Sequence, residues 1–341
     1  MRRILIVLLV VFGLMTVQGW LLAAEPAGGT PQSAGKGSAA AGKDRFIGTW
    51  KLVSAERRNA KGEVLPAGSS TDGIGFIIYD PAGYMAVTIM PGGRQRYAGI
   101  NPTPEEAQRA LAGYTAYFGT FSVNQVDGFV THHLQGGLNP NEASGQKRFF
   151  FEFSPNRLTL KPPRSSTGEQ SHLTWERVPD LPNPTPLHRR FIGFWKHVPD
   201  DPRTTRGVQQ SSDQAQGVPP GFIIYTASGH MMVHIMRPDR KKWAAAQPTP
   251  EEALATVTTY TNYFGPLLFH EKEGYVNHRR AGHLNPNAIE TDGRRFYEFS
   301  DNNHLILTVP PNVGTGTPGT EGRPEVQITW QRLSGGGGSA Q

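Results

Sequence analysis

The chain has 341 residues, a formal net charge of +6 at neutral pH and no cysteine. The length holds two or three ordinary domains, and the missing cysteine excludes a disulfide framework, a thiolate metal site and a cysteine-linked lipid anchor. The positive charge gathers only at HRR (188–190) and RKK (240–242), without interleaved aromatics. These spots read as solvated surface, and no nucleic-acid partner is expected.

Residues 1–24 begin with Arg2 and Arg3, continue in a long apolar run and end in Ala23 and Ala24. This is the order of a secretory signal, with cleavage expected after Ala24. The expected location is exported, periplasmic or secreted. A retained anchor is the alternative, because the run is long enough to span a bilayer, and it is the one expected membrane contact. Residues 25–45 are rich in Gly, Ala, Ser and Pro and predict a disordered linker.

From residue 46 the dominant period is two. TWKLVSAER (49–57) alternates, and IGFIIYDPAGYMAVTIM (74–90) is a hairpin around the DPAG turn. TPEE (103–106) is a capping box with Thr103 as N-cap, Pro104 at the first helical position and Glu106 three residues on. Ala107, Leu111, Tyr114 and Phe118 follow at helical spacing, which carries the predicted helix through the tyrosines. FGTFSVNQVDGFVTHHL (118–134) gives two strands around Asp127-Gly128, KRFFFEFSPNRLTL (147–160) a further hairpin, and HLTWERV (172–178) a last strand. About eight strands result, the number at which a closed up-and-down barrel encloses one small cavity.

Pro-rich residues 179–190 form an extended linker. The whole pattern then returns. GFIIY at 75 recurs at 221, PTPEEA at 102 recurs at 248, and GFVTHHLQGGLNPN at 128 recurs as GYVNHRRAGHLNPN at 274, all with an offset of 146 residues. That period is far too long for a solenoid and suits a whole domain. The expected fold is all-β: two tandem up-and-down antiparallel β-barrels, 46–178 and 191–333, each with one inserted α-helix, followed by a flexible tail at 334–341.

The repeated 14-residue stretch keeps one histidine, His132 and His278. Val130, His132 and Leu134 share one strand face, and Phe129, Thr131 and His133 the other. His132 is therefore expected inside with apolar neighbours, and His133 and its counterpart Arg279 outside. A hairpin back to RFFFEFS would bring Glu152 beside His132 and Glu298 beside His278. Such a pair is a structural ion pair, a polar anchor in a ligand cavity, or a general acid–base couple. In LNPN, Asn139 and Asn141 suit bonds to the turn's own backbone, and Pro140 fixes φ.

Tyr84, Ala86 and Thr88 become His230, Met232 and His234 in the second copy, whereas Met85, Val87 and Ile89 barely change. The constant face reads as core. The drifting face lines a cavity or faces solvent. Tyr114, Tyr117, Tyr260 and Tyr263, on the predicted helices, would rim a barrel mouth together with Arg94 and Arg240. His230 and His234 stand about 13 Å apart along one strand, too far to chelate one ion. No metal and no cofactor is expected.

GTW at 48–50 with Arg177, and GFW at 193–195 with Arg332, resemble the signature of lipocalins. That resemblance implies that Trp50 and Trp195 close the barrel floors and that the arginines stack over them, a guanidinium lying on an indole face. The ordered remainder resembles the bacterial and fungal lipocalin-like domain family over nearly all of 46–178 and 191–333. The capped helix departs from typical secreted lipocalins, whose helix follows the barrel. The resemblance implies a non-catalytic protein binding a small hydrophobic or aromatic molecule inside the barrel. The candidate ligand residues are His132, Glu152, Tyr84 and Tyr114, with His278, Glu298, His230, His234 and Tyr260. One alternative is an isomerase- or cyclase-type enzyme using His132–Glu152 and His278–Glu298. Another is a structural module with filled barrels.

Overall fold

The structure, a computed structural model, describes residues 42–66, 73–199, 219–311 and 325–334. The expected leader 1–24, most of the expected linker 25–45 and residues 335–341 of the expected tail lie outside the described residues. In the first copy, eight strands close into a barrel in sequence order: β1 (Gly48–Arg58), β2 (Ile74–Tyr79), β3 (Tyr84–Met90), β4 (Thr115–Asn124), β5 (Phe129–Gly137), β6 (Gly145–Ser154), β7 (Arg157–Lys161) and β8 (Gln170–Val178), with β8 pairing back on β1. The second copy repeats this with β9 (Gly193–Val198), β10 (Gly221–Tyr225), β11 (His230–Met236), β12 (Tyr260–His270), β13 (Tyr275–Arg279), β14 (Gly282–His283), β15 (Asp292–Phe299), β16 (His304–Val309) and β17 (Val326–Arg332). The β11–β12 and β17–β9 pairings close the second ring. All ladders are antiparallel.

Strands β13 and β14 together correspond to β5. Both barrels carry an irregularity there: the register of β5 shifts opposite Gly119, and β13 ends before Ala281. A Cβ on Gly119 would lie 1.9 Å from the His133 carbonyl oxygen, and one on Gly265 2.0 Å from that of Arg279. Only glycine admits this close approach, which marks a bulge.

Helix α1 (Pro104–Leu111) and helix α3 (Pro250–Thr258) start at the predicted capping boxes, with Thr103 and Thr249 as N-caps. They stop earlier than the spacing predicts. Gly113 takes a left-handed φ of +73°, and the chain turns into β4, so Tyr117 is a strand residue and Tyr114 lies between the two elements. The linker is not wholly extended either. Thr185 caps a short helix, α2 (Pro186–Phe191), with Pro186 at its first turn.

Each barrel has an apolar interior. One is centred on Phe46, Trp50, Met85, Phe121 and Trp175, the other on Phe191, Trp195, Met231 and Trp330. A third apolar cluster joins the two copies: Phe76, Ile78, Ala86 and Phe118 of the first meet Phe194, Phe222, Met232 and Phe264 of the second. Helices α1 and α3 lie against each other in this contact, where Gln108 donates to the Pro248 carbonyl at 2.9 Å.

Equivalent residues exchange roles across the contact. Arg94 donates to the carbonyls of His283 and Leu284 at 2.5 and 2.7 Å, and Arg240, 146 positions on, donates to those of Gly137 (2.6 Å) and Leu138. The Tyr97 amide donates to Asn287 Oδ1 and the Trp243 amide to Asn141 Oδ1, both at 2.7 Å. The second asparagine of each LNPN loop thus reaches across to the other barrel. Asn139 and Asn285 bond the turn's own backbone, accepting from Asn141 N and Asn287 N. A contact in which i meets j and j meets i is isologous, the arrangement of a twofold dimer.

Residues 42–182 produced alone would expose Phe76, Tyr114 and Phe118. This fragment is expected to run as a dimer in light scattering, and Arg94→Glu is expected to return it to a monomer. A monomeric unmodified fragment at high concentration would contradict the isologous reading.

Candidate functional site

His132 and His278 are fully buried on the inner wall strands β5 and β13, while His133 is half-buried and Arg279 exposed. The partners of the buried histidines are tyrosines. Tyr79 OH lies 2.8 Å from His132 Nε2 and Tyr117 OH 2.9 Å from Nδ1. In the second barrel Tyr225 OH lies 2.9 Å from His278 Nε2 and Tyr263 OH 3.2 Å from Nδ1. Each barrel therefore holds a Tyr–His–Tyr triad within an aromatic and aliphatic core.

The proposed carboxylate partners are elsewhere. The β5–β6 register sets Lys147 opposite His132, so odd-numbered residues of β6 face inward and Glu152 faces out. Glu152 is exposed and ion-paired with Lys161; Glu298 occupies the matching exposed position on β15. His132 and Glu152 are not a pair, nor are His278 and Glu298. Phe149, Phe151 and Phe153 take the inward positions instead.

The drifting face on β3 and β11 lines neither a cavity nor solvent: it is the contact between the barrels. Tyr84 stacks on Phe194 with ring centroids 5.9 Å apart, and His230 lies 5.0 Å from Phe76. Thr88, Tyr114, His234, Tyr260 and Asn262 form a buried polar cluster there. Tyr114 OH donates to Asn262 Oδ1 at 2.7 Å, and His234 Nδ1 is 2.8 Å from Tyr260 OH. Tyr84, Tyr114, His230, His234 and Tyr260 are thus interface residues and not part of a barrel interior: the outer faces of β3 and β11, and the chain entering β4 and β12, lie in the contact. Arg94 and Arg240 belong to the same interface.

At one end of each barrel a tryptophan is covered by an arginine. Arg177 Cζ stands 4.2 Å from the Trp50 ring centroid and Arg332 Cζ 4.0 Å from that of Trp195. Arg177 also donates to the carbonyls of Ile47 and Arg45, both at 2.6 Å. The Arg177 amide donates to Asn156 O, so this closed end adjoins the β6–β7 turn. Lys147 and Pro162 lie at the other ends of those two strands. There a shallow surface depression of about 540 Å³ is lined by Gln146, Lys147, Arg148, Phe149, Pro162 and Pro163. Phe149 connects it to the triad, with its ring centroid 5.0 Å from that of His132.

Burial sets the protonation of the triads. It lowers the pKa of His132 to about 3 and raises that of Tyr79 well above the ordinary phenol value. His278 is likewise held neutral by burial and then by Arg295 and Arg280. A neutral imidazole carries one N–H, so one tyrosine accepts from it and the other donates to it. Three protons serve two hydrogen bonds, and one phenol O–H per barrel remains to be spent. The indole N–H groups of Trp175 and Trp330, buried at equivalent positions of β8 and β17, also have no hydrogen-bond partner. Among the described residues no group of three or more His, Asp or Glu side chains has metal-ligand spacing.

The lipocalin-like domain family model matches residues 47–178 and 208–333, most of the chain, and the protein belongs to this family. Among solved structures, a lipocalin-like protein from Bacteroides uniformis ATCC 8492 is similar at 16% identity and a TM-score of 0.22, over 39% of this chain and 97% of that one. A point mutant of the fluorescent protein UnaG is similar at 14% identity and a TM-score of 0.20, over 40% of this chain and 97% of that one. No curated protein matches the chain.

Two outcomes follow from this geometry. Arg177→Ala removes two charge-assisted bonds and a cation–π contact, and is expected to destabilise the first barrel by about 2 kcal/mol in urea denaturation. The second concerns pH. His132 and His234 have folded pKa values near 3 against 6.5 for the free side chain. Below pH 6.5 the unfolded chain therefore binds more protons than the folded one. Stability is complete above that pH and falls as pH drops toward 3, by up to about 1.4 kcal/mol per pH unit for each histidine. The urea midpoint is expected to decline steadily from pH 6.5 to 4, with a shallower slope in His132→Gln.

Proposed function

We propose that the protein is an exported binding protein. In this reading each barrel takes a small apolar molecule that presents a hydrogen-bond acceptor to the Tyr–His–Tyr triad. The observation that carries the reading is the surplus of donors in both cores: one phenol O–H of each triad and the indole N–H of Trp175 or Trp330. An unmet buried donor costs about 1–3 kcal/mol, so its recurrence in both copies calls for an acceptor that fills it. A carbonyl- or ether-bearing aromatic or lipidic molecule satisfies both demands, with apolar surface for the walls and an oxygen for the donors. The acid–base alternative has lost its carboxylates, and both ring nitrogens of each histidine are already engaged.

The test uses the purified full chain. Native mass spectrometry is expected to show copurifying small molecules. Prodan, a neutral naphthyl ketone, is expected to bind with blue-shifted emission, weakened about three- to tenfold by Trp175→Phe combined with Trp330→Phe, the loss of one hydrogen bond per site. A chain that carries no small molecule and leaves prodan in water would sink the binding reading in favour of filled, structural barrels.

A further inference from the structure

Strands β6 and β15 have kept their exposed face and changed their inward one. Inward, Lys147 becomes Gly293, Phe149 becomes Arg295 and Phe151 becomes Tyr297. Outward, Arg148, Phe150, Glu152 and Ser154 return as Arg294, Phe296, Glu298 and Ser300, and every one of them is exposed. The residues alongside do not share this constancy. Thr131 stands across the ladder from Arg148 but Asn277 from Arg294, and Lys161 from Phe150 but Thr308 from Phe296. Solvent-facing positions tolerate substitution at little cost, so a row that stays fixed beside neighbours that drift points to a surface that touches something.

Contacts within each barrel account for only part of the row. Arg148 Cζ stands 4.2 Å from the Phe129 ring centroid and Arg294 Cζ 4.4 Å from that of Tyr275, so stacking on the next strand explains the arginines. It does not explain the glutamates: Lys161, which pairs with Glu152, gives way to Thr308 in the second copy. Nor does it explain the rings. Phe150 is 43% exposed and Phe296 39%, and Phe296 meets Tyr275 only edge-on, at 5.8 Å. None of the buried residues that join the two barrels belongs to β6 or β15, so either row can be met without parting the barrels.

Alternate residues of a strand point the same way about 6.6 Å apart, so each row runs guanidinium, phenyl ring, carboxylate over about 13 Å. Turned end for end and laid on another such row, it sets each arginine against a glutamate and one ring against the other. We propose that the row is a docking surface for a second copy of this chain, with Phe150 or Phe296 at the centre and Arg–Glu pairs on either side. Such a surface is its own complement about a twofold axis through the ring. The proposal explains the constancy, because any row can meet any other only while all stay alike. Two rows on one chain make the association open-ended rather than a closed dimer. The face is narrow, so the contact is weak, with a Kd of about 1 mM.

The experiment follows the weight-average mass of the full chain by sedimentation as concentration rises. The mass is expected to climb above that of one chain by about 1 mM; a mass that stays at one chain overturns the proposal. Glu152→Arg with Glu298→Arg makes the ends of both rows positive, and Arg148→Glu with Arg294→Glu makes them negative. Each variant alone is expected to associate at least about tenfold more weakly, and an equimolar mixture of the two to regain the association, since every positive row then finds a negative one. A variant that associates as the unmodified chain does, or a mixture no stronger than its components, overturns the proposal. Should either charge variant lose its near-ultraviolet dichroism, Phe150→Ser with Phe296→Ser decides: association weakened at least about threefold supports the proposal, and undiminished association overturns it.

Discussion

Strands β2, β3, β10 and β11 bury both faces, and the rest of the molecule is arranged around that constraint. One face fills a barrel and the other meets the second barrel. Ile77 and Met85 look into the first interior, while Phe76, Ile78 and Ala86 look into the contact. Strands buried twice read as continuous apolar runs, as GFIIY and YMAVTIM do. The same demand decides which edges carry the helices. α1 and α3 follow β3 and β11, so their capped first turns and small inner residues, Ala107 and Ala253, close the seam where the sheets meet.

Tandem duplication frees such a contact from symmetry. In a homodimer, residues at the axis meet their own copies. Here Thr88 meets Asn262 and Met232, and the positions equivalent to Asn262 and His234 are Ala116 and Thr88. Asn262 accepts from Tyr114, donates to the Val233 carbonyl and lies between Thr88 and His234. Two asparagines at one axis would compete for the same partners; one asparagine against an alanine is satisfied. The divergence noticed on this face is therefore complementary repacking across an interface, and it carries no information about ligands.

How much of this was legible follows from period and register. Strand parity alone places His132 inside and His133 outside, because a period of two needs no tertiary knowledge. The same parity, carried one strand further, excludes Glu152: in RFFFEFS the inward set is Phe149, Phe151 and Phe153, and the outward set holds Arg148, Glu152 and Ser154. The true partners, Tyr79 and Tyr117, stand in GFIIY and YTAYFG, and both tyrosines return in the second copy. Repetition of a polar group inside an otherwise apolar repeat was the available signal. Helical spacing masked it by extending α1 past Gly113, whose left-handed φ ends the helix and flips the following residues into strand alternation. The barrel contact itself was not legible, because a doubly buried strand and a buried strand facing a cavity share one sequence pattern.

The triads also limit what the barrels can do. A general base needs a nitrogen free to take a proton near the working pH, and both nitrogens here are held by phenols in a site that keeps the ring neutral down to acid pH. What remains is an oriented donor of fixed position, locked by two tyrosines from neighbouring strands of the wall. Such a group stabilises an acceptor without changing its own state. The fold thus places the same Tyr–His–Tyr arrangement in two barrels, with different side chains around it.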